Sequence, residues 1–273
     1  MQNKINKNCI IITLLMIFAV SNTYSMLKKS RVKRSYGDCT EYIRDGINLI
    51  AAIYTGNYDQ VKNILDNYNI DFQDDYNTGH IPLVHAISHG DENIVKLLIS
   101  YGARINFIDK HGYVPLIFAC NFNNLSLTKL LIDYGANVNL SDEDGDVALL
   151  FASENGNEDM LNLLISHDAN INLQNGNGYS ALMLAAHAGE TDIVKRLIDL
   201  GADLNLQNNN GDTALKIAID MNHEDIIRLL VDRGAKINLD TYLDKPLDAT
   251  EKAKFRDIGN LLKRYRLKSR RIG

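Results

Sequence analysis

Two groups of side chains have the residue types and spacing of a metal site. His85 and His89 are four residues apart in a segment that the sequence predicts to be helical, so both imidazoles would share one face. Asp142, Asp144 and Asp146 alternate around a glycine, as the first ligands of a calcium loop do. Neither set is complete, because the histidines lack a third ligand and a serine stands where the loop requires its glutamate. We therefore expect no metal.

Motifs for nucleophilic, hydrolytic or phosphate-transfer catalysis are missing from the sequence. It contains no glycine-rich phosphate loop, no G-x-S-x-G elbow and no H-E-x-x-H helix. Most of its 18 glycines instead recur at a step of 33 residues or a multiple of it. The sequence therefore predicts a protein with no enzymatic activity and no cofactor.

Three cysteines are too few for a disulfide scaffold. Cys9 begins an N-terminal apolar run, whereas Cys39 and Cys120 belong to the rest of the chain. Cys120 lies in a helix predicted to be packed on one face, where a small buried thiol is the usual finding. The sequence leaves open whether Cys120 pairs with Cys39.

Residues 1–25 have the layout of a secretory signal peptide. Lys4 and Lys7 precede an apolar run over residues 9–20, and small or polar residues follow it. As a helix this run would span about 18 Å, less than the roughly 30 Å hydrocarbon core of a bilayer. We expect export and cleavage after Ser21 or Ser25. An uncleaved anchor and a buried helix are the alternatives.

Charge divides the chain into an acidic body and two basic ends. Residues 46–243 contain 27 Asp and Glu against 11 Lys and Arg, whereas residues 1–45 and 244–273 both carry a net positive charge. The acidic body favours a partner with a basic patch. The basic ends could contact anionic lipid or nucleic acid. We favour solvated ends that offset the acidic body, so we do not expect a nucleic-acid partner, and weak membrane contact stays open.

A period of 33 residues organises the middle of the chain. Within each period, residues such as Pro115, Ser180 and Thr213 can begin a first helix. A turn and a second helix with apolar residues at helical spacing follow. A glycine then ends the second helix, and a tip rich in Asp and Asn leads to the next unit. The period is carried by the glycines Gly79, Gly112, Gly145, Gly178 and Gly211 and by the alanines Ala86, Ala119, Ala152, Ala185 and Ala218.

The units resemble ankyrin repeats, whose T-P-L-H-x-A signature appears in altered form. Residues 178–186 (GYSALMLAA) and 211–218 (GDTALKIA) keep its frame, although alanine replaces proline in three units and the signature histidine is absent. The resemblance implies an all-α fold. It would be an ankyrin-repeat solenoid of six to seven helix–turn–helix units with short β-turn tips.

The resemblance gives the domain organisation that we predict. Its end units are expected to be irregular, because one face of each meets water. The segments are a signal peptide (1–25), a basic linker (26–45), repeats (46–240, as 46–78, 79–111, 112–144, 145–177, 178–210 and 211–240), and a degenerate capping repeat with a basic tail (241–273).

Ankyrin repeats typically hold partners with their tips and the faces of their first helices. Carried over to this sequence, that rule indicates Tyr113, Phe122 and Tyr179 as anchors, because aromatic side chains dominate binding energy where they become buried. The alternative is that these three residues brace adjacent units. The other predicted contact residues are His80, His111, Asp146, His187, Asp212 and Met221.

Together these features predict a secreted or periplasmic, monomeric module that binds proteins. Its many Asn, Ile and Lys residues suggest an A/T-rich genome. In intracellular bacteria, exported ankyrin-repeat proteins resemble effectors that act on host proteins. The alternative is an envelope-associated structural protein, tethered by its N-terminal apolar segment and basic ends.

Overall fold

The computed structural model describes residues 48–67, 82–108 and 112–236. The chain divides into two compact units, Met1–Tyr76 and Asn77–Gly273. His80, His111 and Cys39 lie outside the described residues. So do the predicted signal peptide, basic linker, capping repeat and basic tail.

The described part of the first unit is a pair of helices. Residues 48–54 are helical, and helix α1 spans Tyr58–Asn67. Leu49, Ile53 and Val61 are fully buried, because they lie on one face of each helix at helical spacing. This is the helix–turn–helix pattern that the sequence predicts for a repeat.

The described part of the second compact unit consists of five helix pairs, one for each repeat. First helices pack against first helices of neighbouring pairs, from α2 through α4, α6 and α8 to α10. Second helices also contact second helices of neighbouring pairs: α5 contacts α7, and α9 contacts α11. The pairs are α2 (Pro82–His89) and α3 (Glu92–Ser100), α4 (Pro115–Asn121) and α5 (Leu125–Asp133), α6 (Ala148–Glu154) and α7 (Glu158–Ser166), α8 (Ala181–Ala188) and α9 (Thr191–Asp199), and α10 (Ala214–Asp220) and α11 (Glu224–Asp232).

The helices begin at the residues that the sequence predicts. Pro115 is the first residue of α4, where its missing N–H is not needed. Ser180 caps α8, since its side chain accepts a hydrogen bond from the Met183 N–H, and Thr213 caps α10 in the same way. Local sequence therefore fixes these helix starts.

Close packing of the first helices explains the repeated alanine. Each described member of that series, from Ala86 to Ala218, is at most 1% exposed. A larger side chain there would push neighbouring helices apart. Leucine, isoleucine and valine from the second helices complete the core.

An asparagine at a repeated position joins one repeat to the next. The Asn106 amide donates to the Gly135 carbonyl at 2.9 Å, and its Oδ1 accepts from the Asn137 N–H at 2.7 Å. Asn139 makes the same two bonds one unit later. Asn172 and Asn205 keep the bond in which the side chain is the acceptor. The sequence shows that this asparagine recurs every 33 residues, but it does not show the hydrogen bonds that explain the recurrence.

The tips are closed by an Asp or Asn side chain. Oδ1 of Asp142 accepts from the backbone N–H groups of Asp144 and Asp146, and Asn175 and Asn208 do the same in the next two tips. These local hydrogen bonds explain why the tips are rich in Asp and Asn. Successive tips also touch, because the Gly176 N–H donates to the Asp144 carbonyl at 2.7 Å.

No helix in the described ranges is both long enough and apolar enough to span a membrane.

Candidate partner-binding surface

Four positions that recur in each repeat place side chains on or beside the first helices of the second compact unit, Asn77–Gly273. They lie at the base of each tip, in the middle of each first helix and at its end. We call these residues the inner surface. Its described members are Tyr113, Asp146, Tyr179 and Asp212; His85, Phe118, Phe151, Leu184 and Ile217; Ser88, Asn121, Glu154, His187 and Asp220; and His89, Phe122, Asn155, Ala188 and Met221.

Three aromatic rings cluster on the inner surface at α4. The Tyr113 and Phe118 rings are 4.9 Å apart and the Phe118 and Phe122 rings 5.2 Å apart, both edge to face. Such pairs are worth about 0.5–1.5 kcal/mol beyond the area that they bury. Tyr113 is still 37% exposed, and Phe122 is half-buried. These ring contacts join residues of one unit and leave part of each anchor accessible.

Tyr179, the third predicted anchor, lies two units further along. Its backbone N–H donates to Asn175 Oδ1 at 2.9 Å, and its side chain is half-buried. Because two repeats separate them, Tyr179 and the aromatic cluster around Phe118 lie on different parts of the inner surface. Whether all three anchors act together remains a prediction.

A cleft of about 100 Å³ lies in the middle of the inner surface. Asp146 is held at its edge, because its Oδ1 accepts from the Asn175 amide at 2.7 Å. The remaining lining is mostly apolar and comes from α6 and α8. The lining residues are Asp146, Leu150, Phe151, Glu154, Asn175 and Leu184.

A lysine lies between two carboxylates on α10. Lys216 Nζ is 3.1 Å from Asp212 Oδ1 and 2.6 Å from Asp220 Oδ2. Burial by itself would lower the pKa of Lys216, but the hydrogen bonds and charges of Asp220 and Asp212 outweigh burial and raise it. Lys216 therefore stays charged, and Asp212 is already paired within the chain.

The other predicted contact residues are spread along the same surface. Met221 follows α10 and is 44% exposed. His187 is exposed near the end of α8, and its carbonyl oxygen is 3.3 Å from His223 Nε2. His80 and His111 belong to residues that the structure does not describe.

Asp142 of the candidate calcium loop and the Cys120 thiol have structural roles. No group of three or more His, Cys, Asp or Glu side chains in the described ranges is arranged to hold a metal. Asp142 closes its tip, as described above. Cys120 is buried as expected, with its Sγ 3.7 Å from Thr128 Oγ1 and 3.8 Å from Met160 Sδ. Burial raises its pKa to about 12, so it is an unreactive thiol at neutral pH.

Sequence reasoning predicted Asp146 as a contact residue but missed the apolar side chains in the middle of the first helices. Phe118, Phe151 and Leu184 each precede one of the repeated alanines, and they share the 33-residue period. A residue next to a packed helix position lies about 100° around the helix, beside the buried stripe. That signal could have identified them. The pairing of Lys216 needed the structure.

The sequence model for ankyrin repeats (three copies) matches residues 49–142 and 145–241. Since these matches cover most of the chain, the protein belongs to the ankyrin-repeat family. A solved relative in fold is the ankyrin-repeat domain of Bcl-3, described as a unique member of the IkappaB protein family. It is 25% identical, with a TM-score of 0.63 over 69% of this chain and 86% of that one. No curated protein sequence matches the chain.

These findings confirm the predicted family and the all-α ankyrin-repeat solenoid. Ankyrin repeats form a scaffold for protein–protein interaction, so the chain is an interaction module whose partners are proteins.

Proposed function

We propose that the protein is an exported, non-enzymatic module that holds a polypeptide partner on its inner surface. The observation that carries this proposal is the placement of a partly exposed aromatic cluster and a cleft on packed first helices. Because ring packing at α4 and the hydrogen bond from Asn175 to Asp146 already restrain these side chains, little conformational entropy is lost on binding.

The proposed partner carries both basic and apolar side chains. Asp146 and Glu154 line the cleft, and the exposed part of Tyr113 lies one unit away at the same repeated position as Asp146. The acidic body of residues 46–243 would attract a basic surface from a distance. Aromatic anchors and carboxylates together favour a basic polypeptide over an acidic one.

Export is proposed from the signal-peptide layout of residues 1–25, and a host protein is the proposed target. The alternative is an envelope-associated protein held at the membrane by its N-terminal segment and basic ends. Fractionation separates the two: protein in the medium or in host cells supports export to a target. Protein that pellets with membranes supports the envelope role.

Alanine substitution of the three anchors tests the use of the inner surface. We expect the combined change of Tyr113→Ala, Phe122→Ala and Tyr179→Ala to weaken capture of a host partner by the full chain at least about tenfold, since buried aromatic anchors typically contribute about 2 kcal/mol or more. The measurement is affinity capture followed by titration at low and near-physiological salt.

Tyr134→Ala is the matched control, because Tyr134 is 49% exposed but lies at the end of the second helix α5. It should leave capture unchanged. Equal capture by the triple variant and the wild type would disprove binding at these anchors.

A further inference from the structure

The cleft in the inner surface contains two carboxylates that no cation of the described chain neutralises. Asp146 and Glu154 lie four residues before and four residues after Leu150. In residues 48–67, 82–108 and 112–236, no lysine or arginine is within ion-pair distance of either. Leu150, Phe151 and Leu184 supply most of the remaining lining, so apolar side chains lie beside the two carboxylates.

Two repeats later, two carboxylates occupy the same repeated positions, and a lysine lies between them. Asp212, Lys216 and Asp220 each follow their counterparts in the cleft by 66 residues. There the Lys216 ammonium group lies 3.1 Å from one carboxylate and 2.6 Å from the other. These two repeated positions can therefore hold a cationic group between them, and at the cleft a leucine replaces the lysine that would supply it.

We propose that the cleft is a subsite for a lysine or arginine side chain of the partner, an inference that rests on the proposed function. The methylene stem lies against Phe151 and Leu184, and the charged end lies between Asp146 and Glu154. Long basic side chains bury their stems on apolar surface in this way. Arginine is the better ligand, because its planar guanidinium group has five N–H donors, whereas a lysine ammonium group has three.

The Asp146 carboxylate is suited to this role. It already accepts from the Asn175 amide, which fixes its orientation, and an ionised carboxylate has several acceptor sites left. Glu154 is exposed and one methylene longer than Asp220, so it can reach a larger cation than an ammonium group. The subsite is therefore partly preorganised and partly adaptable.

Nuclear magnetic resonance titration of the full chain with n-butylguanidinium tests the subsite directly. This probe has the stem and charge of arginine, and n-butylurea is its neutral counterpart. We expect saturable shifts of the backbone amides of residues 146–155 and 184 with the cation. Butylurea should bind at least about tenfold more weakly.

Two variants locate the binding. Leu150→Lys should place a cation from the chain itself between Asp146 and Glu154, as Lys216 does two units later, and reduce butylguanidinium affinity at least about tenfold. Asp146→Asn with Glu154→Gln should do the same by removing both charges, and the amide introduced by Asp146→Asn would keep an oxygen that accepts from Asn175. The second variant also covers the case in which Leu150→Lys does not fold.

Asp133→Asn with Asp232→Asn is the matched control, because both residues are exposed on second helices. It makes the same change in net charge and should leave the affinity unaltered. Shifts outside the cleft, or equal losses in the control and the cleft variants, would overturn the subsite. That result would leave the proposed function standing if partner capture still depended on the aromatic anchors. Loss of that dependence with an intact subsite would instead contradict the proposed function.

Discussion

Among single residues, Asp142 has a charge that its structural role does not require. Its Oδ1 accepts from two backbone N–H groups, but Asn175 and Asn208 accept the same two bonds in their tips. Burial raises the pKa of Asp142, and the nearby charges of Asp146 and Asp144 raise it further, although the backbone hydrogen bonds oppose both effects. The tip would therefore be more stable with an uncharged amide.

We expect Asp142→Asn to stabilise the protein at pH 7. Because the folded-state pKa of Asp142 is raised, the folded protein binds more protons than the unfolded chain between the two pKa values. This contribution to stability is present at low pH and is lost as pH rises through the folded-state pKa. Partial exposure screens the penalty, so we expect a gain of up to about 1 kcal/mol at pH 7.

The measurement is urea denaturation of wild type and variant from pH 3 to pH 7. The difference between them should grow as pH rises and then level off. Asp133→Asn, an exposed change on α5, should show no such trend. A variant that is equally or less stable than wild type at pH 7 would refute the argument.

At the scale of the elements, the stacking of tips depends on close backbone approach. Gly178 has a φ of +79°, and a Cβ built there would lie 2.8 Å from Asn208 Cα and from the Asn209 backbone N. Such distances are too short for any side chain. Glycine at this position is needed both for the left-handed backbone and for contact with the next tip.

Comparison with Gly201 separates the effect of the left-handed backbone from the effect of contact between tips. Gly201 has a φ of +88°, and among the described residues nothing lies within 4 Å of a Cβ built there. We expect Gly201→Ala to lower the unfolding free energy by about 1 kcal/mol through backbone strain alone. Gly178→Ala should cost about 1–3 kcal/mol more, because the tips must also move apart. Chemical denaturation measures both, and equal losses would show that tip contact contributes nothing.

At the scale of the whole molecule, cooperativity depends on interfaces between neighbouring units. In repeat proteins each unit contacts only the units beside it, so total stability is a sum of unit and interface terms. Asn139 acts at one interface, because its side chain donates to the Asp168 carbonyl at 2.9 Å and accepts from the Asn170 N–H at 2.8 Å. Asn170 instead accepts within its own unit, from the Asn172 N–H.

We expect Asn139→Ala to destabilise the protein by about 1–2 kcal/mol, since it removes two hydrogen bonds worth about 1 kcal/mol each. It should also make unfolding less cooperative, so that amide exchange on the two sides of the interface no longer occurs together. Asn170→Ala, the matched control, should cost less and leave cooperativity unchanged. Hydrogen exchange with denaturation measures both quantities, and identical behaviour of the two variants would contradict the interface role.

Local interactions explain why much of the fold was predictable. Helix starts at Pro115, Ser180 and Thr213 depend on the residue itself and the next three, so they can be read without coordinates. The 33-residue period then requires helix pairs to stack in series, because one pair cannot bury its apolar face alone. From the family resemblance came the inner surface and its aromatic anchors.

The sequence by itself determined the repeat, the helix pairs and the family, because each depends on contacts between residues near in sequence and repeated at a fixed step. Only the tertiary structure decided that Phe118 joins Tyr113 to Phe122, that Lys216 is held by two carboxylates, and that no described cation pairs with the cleft carboxylates. These facts depend on side-chain direction and on the distance between neighbouring units, which spacing along the chain does not specify.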